Sequence, residues 1–73
     1  MDQAVRRVDV VVIAVIPEFD LVKAEDLAGT GDSFSLGKLV EGVDWRELRV
    51  GQRLRCEYVG EGATKVLRAR LLD

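Results

Sequence analysis

The chain has no histidine, one cysteine and one proline among its 73 residues, and each scarcity closes off a class of protein. Without histidine there is no imidazole to act as a general base or as a metal ligand. Asp20, Glu25, Asp26 and Asp32 lack the spacing of a calcium loop, so no metal site is expected. The single cysteine, Cys56, cannot form an internal disulfide, so apolar burial alone must hold the fold and a reducing, cytoplasmic setting is expected. There is no Gly-x-Ser-x-Gly turn, and Gly29-Thr-Gly31 lacks the lysine of a phosphate-cradling loop. Neither an enzymatic activity nor a cofactor is expected.

Long hydrophobic runs are also missing. The longest, Val10 to Ile16, is seven residues, far short of the roughly 20 that span a bilayer. Arg6 and Arg7 precede it as they would in a signal peptide, but Asp9 abuts it and Pro17-Glu18 end it, so it reads instead as a core strand. No charge sign dominates either. Thirteen acidic and eleven basic residues give a net charge of -2, which rules out a strongly basic protein drawn to polyanions by its total charge. The distribution is uneven, however. Arg46, Arg49, Arg53, Arg55, Arg68 and Arg70 lie in the second half, whereas carboxylates dominate from Glu18 to Asp32, so one face is expected to be basic and another acidic.

What is present is β-strand patterning within a single domain, residues 1-73. Val8 to Ile16 is a β-branched run apolar on both faces, suited to a central strand, and Pro17 ends its ladder. Phe19 to Glu25 reads as a second strand, Asp26 to Gly31 as a hairpin connection and Ser33 to Leu36 as a third strand. In the linker from Glu41 to Leu48, Asp44 is placed to cap one helical turn bearing Trp45 and Leu48. After a turn at Val50-Gly51, Gln52 to Val59 alternates, with Leu54, Cys56 and Tyr58 on the inward face and Arg53, Arg55 and Glu57 on the other. Gly60-Glu-Gly62 turns the chain into a last strand, Thr64 to Leu72, in which Leu67, Ala69 and Leu71 oppose Val66, Arg68 and Arg70. Five short strands with a longer connection between the third and fourth predict an all-β, five-stranded antiparallel OB-type β-barrel with at most one short helical turn, near residues 44-48.

Four segments carry a family resemblance. They are Val10-Val-Val-Ile13, Phe19-Asp-Leu-Val22, Asp32-Ser-Phe-Ser-Leu36 and Leu48-Arg-Val-Gly-Gln-Arg-Leu-Arg-Cys-Glu-Tyr58. In order and spacing over roughly sixty residues the chain resembles a divergent bacterial cold-shock domain. The last segment is the most specific match, to Leu-x-x-Gly-Gln-x-Val-x-Phe-Glu-Val.

The resemblance implies weak binding of single-stranded RNA or DNA. Phe19 and Phe34 are then remnants of a platform of aromatic side chains that stack on bases, and Arg6, Arg7, Lys23, Lys38 and Arg46 are candidate phosphate contacts. The departures weaken it. Val12, Leu21, Leu36 and Gly37 stand where the family has stacking side chains, a loss of about 4–12 kcal/mol if each stack is worth 1–3. Pro17 and Glu18 replace a lysine and a glycine, which puts a carboxylate where a phosphate would lie.

Each of these residues also has a plainer reading. Phe19 and Phe34 serve equally as packing residues, Trp45 as a plug over the open end of the barrel, and Cys56 as an inert small hydrophobe. Arg53, Arg55, Arg68 and Arg70 suit a solvated outer face that discourages edge pairing, with phosphate contact the lesser alternative. The competing functional reading is an OB-type protein-interaction module that has lost nucleic-acid binding. It would use Val12, Leu21, Phe34 and Leu36 as an exposed apolar patch for a protein partner, most simply a second copy in a homodimer.

Overall fold

The structure, a computed structural model, describes residues 5–59 and 66–72. β1 (Val5–Ile16), β2 (Leu21–Asp26), β3 (Ser33–Gly37), β4 (Arg53–Val59) and β5 (Val66–Leu71) form one antiparallel sheet in the order β3-β2-β1-β4-β5. β1 is the shared strand, pairing with β2 along Val10 to Ile16 and with β4 along Val5 to Val11. A register shift between Val12 and Ala14 bends it so that its two halves serve two walls. The sheet curls until the segment after β3 meets β5. Glu41 N–H donates to the Leu67 carbonyl (3.0 Å) and Ala69 N–H to the Glu41 carbonyl (2.9 Å), a parallel bridge that closes the barrel.

Local chemistry accounts for the connections. Asp26 opens the β2–β3 hairpin, its Oδ1 accepting from Ala28 N–H (2.7 Å) and its Oδ2 from the Thr30 hydroxyl (2.9 Å). Asp44 caps a single 3-10 turn, Trp45–Glu47, by accepting from Arg46 N–H, as its position predicts. There is a second such turn, Pro17–Phe19, where the sequence pattern predicts only one. Proline's fixed φ suits the first position of that turn, and Asp20 leaves it in a left-handed conformation (φ 50°), so β2 begins at Leu21 rather than at Phe19. Of the expected last strand, Thr64 and Lys65 lie outside the described residues, as does the Gly60 to Gly62 turn.

The core contains Val10, Val12, Val22, Ala24, Phe34, Leu36, Leu48, Leu54, Cys56, Val66 and Ala69. Phe34 meets Tyr58 edge to face, with ring centroids 5.1 Å apart and planes at 61°. Leu54 and Cys56 face inward as the alternation of β4 predicts. Two expectations about faces need correction. β1 is buried on one face only, since Ile13 is exposed and Val11 half-buried. In β5, Val66 and Ala69 are buried while Leu67 and Leu71 are exposed. The ladder skips a residue there, with Glu57 opposite Arg68 but Tyr58 opposite Val66, and that bulge turns Leu67 outward and Val66 inward.

Candidate functional site

Of the two predicted stacking residues, Phe19 is on the surface and Phe34 is not. Val12 (1% exposed), Phe34 (4%) and Leu36 (0%) point into the barrel, so neither the platform nor the apolar patch built on these side chains is available to a ligand. The register shows why. Val12 lies opposite Ala24, Ala24 opposite Phe34, and Val22 opposite Leu36, so these residues share the inward face. Ser33, Ser35 and Lys23 occupy the outward positions. In Ser-Phe-Ser-Leu a one-residue choice of face decides between burying two hydroxyls and burying two large apolar groups, and the apolar pair wins by several kcal/mol. Of the four patch residues only Leu21 faces outward, and it is half-buried.

The remaining candidates fall into separate groups. Arg6 and Arg7 lie at the far end of β1, where Arg7 Nε is 3.9 Å from Glu57 Oε2. Lys23 stands exposed on the outer face of β2, between Ala14 and Ser35 on the neighbouring strands. Phe19, Lys38 and Arg46 converge at one end of the barrel. Phe19 is 73% exposed on its 3-10 turn and, with Leu21 and Leu39, borders an open groove of about 360 Å³. Asp20 and Lys38 divide that groove from a second, of about 460 Å³, walled by Val43, Trp45 and Arg46. Trp45 is therefore no complete plug. It packs against the core on one side and lines the groove on the other.

The charges at this end are unequal in freedom. Arg46 donates twice to Asp44, Nε to Oδ1 (3.1 Å) and Nη2 to Oδ2 (3.0 Å). Those bonds, with the Arg46 backbone N–H, hold the Asp44 carboxyl below the usual carboxylate range. Arg46 is accordingly paired with Asp44, with Glu47 and Asp20 also acting on its charge, whereas Lys38 has no ion pair among the described residues. Sequence reading missed Leu39 (77% exposed) and the groove-facing side of Trp45. Leu39 sits in a connection without periodicity, so no pattern marks it.

A different surface gathers the arginines of the second half. Arg53, Arg55 and Glu57 of β4 alternate outward between Asp9 and Arg7 of β1 and Arg68 and Arg70 of β5. Arg55 clamps Asp9 through Nε to Oδ1 (2.9 Å) and Nη2 to Oδ2 (3.3 Å), and Arg68 reaches Glu41 (3.1 Å). The arginines share this surface with Asp9, Glu57 and Glu41, so it is mixed in sign and not a purely basic side. On the inward side of β4, burial pushes the Cys56 thiol up to about 12, as an inert side chain requires.

No cluster of potential metal ligands occurs among the described residues, and no helix there is long and apolar enough to cross a membrane. No protein-family model and no curated protein matches the chain. Among solved structures it is similar to apo-CusF from Escherichia coli, with a TM-score of 0.63 and 11% identity over 99% of this chain and 92% of that one. At that identity the likeness shows the fold alone, an OB-like five-stranded antiparallel barrel.

Proposed function

We propose that this chain is an OB-type binding module that holds single-stranded nucleic acid weakly at the end of the barrel where Phe19, Lys38, Trp45 and Arg46 meet. The observation that carries this reading is Phe19, an aromatic ring left 73% exposed on the same groove as Lys38, which has no ion pair among the described residues. One exposed ring supplies about 1–3 kcal/mol of base stacking, and the cations at hand supply salt-dependent phosphate contact. Together these fit dissociation constants on the order of 10–100 µM at physiological salt, without base preference. The resemblance to cold-shock domains supports the ligand class, although the binding residues differ from those that resemblance implies. The module acts by binding and not by catalysis.

The test is titration of a labelled oligothymidylate with the purified chain at several salt concentrations, alongside Phe19→Ala. Binding that weakens with salt and drops about tenfold in the variant is expected. No binding at low salt would end the proposal.

One observation favours a second reading. Leu39, at 77% exposed, sits with Leu21 beside Phe19, and a contiguous apolar surface of this kind also suits a protein partner or a second copy. Sedimentation at high concentration distinguishes self-association, which Leu39→Lys should then abolish.

A further inference from the structure

The arginines of β1, β4 and β5 are arranged in rows across the strands. In one row Arg7, Glu57 and Arg68 alternate in sign, and Glu41 beyond the seam continues the alternation. In the next row the alternation fails, because Asp9 lies opposite Arg55 but Arg55 lies opposite Arg70. Like charges directly opposed on neighbouring strands are destabilising. Asp9 engages Arg55 with both oxygens and attracts Arg70 only through its charge, for Arg70 has no hydrogen bond or ion pair within the described residues. Arg7, Arg55, Arg68 and Arg70 border a common groove of about 380 Å³ together with Glu57, Gly42 and Ala69, so four guanidinium groups face one carboxylate there. Among the described residues every cation lining this groove is an arginine, and the guanidinium fork is the group that matches a phosphate through paired bonds.

This face connects to the Phe19 end. Leu39 borders both the groove under Phe19 and a third groove at the barrel seam, which Glu57 and Arg68 share with the arginine groove. We propose that a single strand bound at Phe19 crosses the Glu41–Arg68 seam and lays its phosphodiester backbone along Arg68, Arg7, Arg55 and Arg70. This rests on the reading of the Phe19 end as a single-strand site. The anion relieves the opposition of Arg55 and Arg70, and the described residues of the groove lining include no aromatic ring, so the contact is one of backbone only. An acidic protein segment meets the charge requirement but not the connection to an exposed stacking ring.

The experiment measures the slope of log affinity against log salt for a labelled oligothymidylate long enough to span both surfaces. Arg68→Gln/Arg70→Gln should lower the slope by about 1.4, or about 0.7 for each phosphate no longer neutralised, while Arg49→Gln, in the β3–β4 connection, leaves it unchanged. Arg68→Lys/Arg70→Lys keeps the charge and should keep the slope, which guards against a fold defect in the glutamine pair. If the unmodified chain binds and the glutamine pair shows the same slope, the path across the arginine face is wrong and the Phe19 site stands. If the unmodified chain does not bind, the single-strand reading falls and this inference with it. Displacement of the oligonucleotide by polyglutamate at equal charge concentration would reassign the face to acidic proteins and overturn the proposal.

Discussion

Gly42 lies so close to the Ala69 carbonyl that a β-carbon at residue 42 would overlap that oxygen, and it holds a φ of +93° that side chains rarely adopt. The contact sits beside the Glu41 bridge that closes the barrel. Gly42→Ala therefore has to open the seam, because the obstructing atom is backbone. Gly51 has a similar φ, +96°, but open space around it, which makes it the internal control. Gly51→Ala should cost about 1 kcal/mol and Gly42→Ala at least about 2 kcal/mol more. Equal urea midpoints for the two would show that the seam is loose.

The two phenylalanines should part company when truncated. Phe34→Ala removes a buried ring packed on Tyr58 and should cost about 3–5 kcal/mol, enough to threaten the fold of so small a domain. Phe19→Ala should shift stability by no more than about 0.5 kcal/mol while lowering oligonucleotide affinity. Parallel urea titrations of the two variants check the contrast, and a stable Phe34→Ala protein would show the register of β3 to be wrong.

Trp45 is the sole tryptophan, so its emission reports on one place. Half-buried on the groove beside Lys38, it should be quenched by acrylamide to a degree between that of a free and a core indole, and an added oligonucleotide should protect it. Quenching unaffected by a saturating oligonucleotide would move the ligand away from this end.

The Asp9–Arg55 pair gives the fold a direction in acid. Hydrogen bonding to Arg55, with that residue's charge and Arg70's, holds the Asp9 carboxyl below its ordinary range against a smaller opposing effect of burial. A group whose pKa is depressed on folding stabilises at pH values above its unfolded pKa, near 4, and loses that contribution as pH falls through the folded value. Asp44, depressed by Arg46, acts in the same sense. Acid unfolding of Asp9→Asn should accordingly depend less on pH below 4 than that of the parent chain, as followed by circular dichroism.

Cys56 works in the opposite range. Burial, and secondarily Asp9, raise its thiol to about 12, so the folded chain keeps a proton that the unfolded chain surrenders above pH 8.5. Its contribution is complete below that pH and lost as pH climbs toward 12. At pH 8 an alkylating reagent should label Cys56 only as fast as the chain unfolds, and immediate labelling would place the thiol at the surface.

Much of the barrel was legible because β4 and the β2–β3 hairpin state their structure locally. Leu54 and Cys56 alternate with arginines, and Asp26 sits where a hairpin turn needs it. The site was less legible for a physical reason. Likeness of Asp32-Ser-Phe-Ser-Leu36 to a cold-shock strand suggests that Phe34 and Leu36 face solvent, but the serines between them make the opposite register lower in free energy, and that difference outweighs likeness. Phe19 escaped its expected strand because Pro17 starts a turn and Asp20 ends it in a left-handed conformation. Val66 and Leu67 exchanged faces through a bulge that alternation alone does not announce. The arginine rows depend on which strands are neighbours, and so emerged only with the sheet order.

Because β1 is hydrogen-bonded to β2 on one side and to β4 on the other where Val10 and Val11 lie, neither flank can release those residues alone. Val12 adds a bond from its own N–H to the Gln52 carbonyl. Their amide protons should therefore be among the last to exchange with deuterated solvent, at a rate set by complete unfolding, while β5, paired along its length with β4 and elsewhere bridged by Glu41, exchanges through smaller openings.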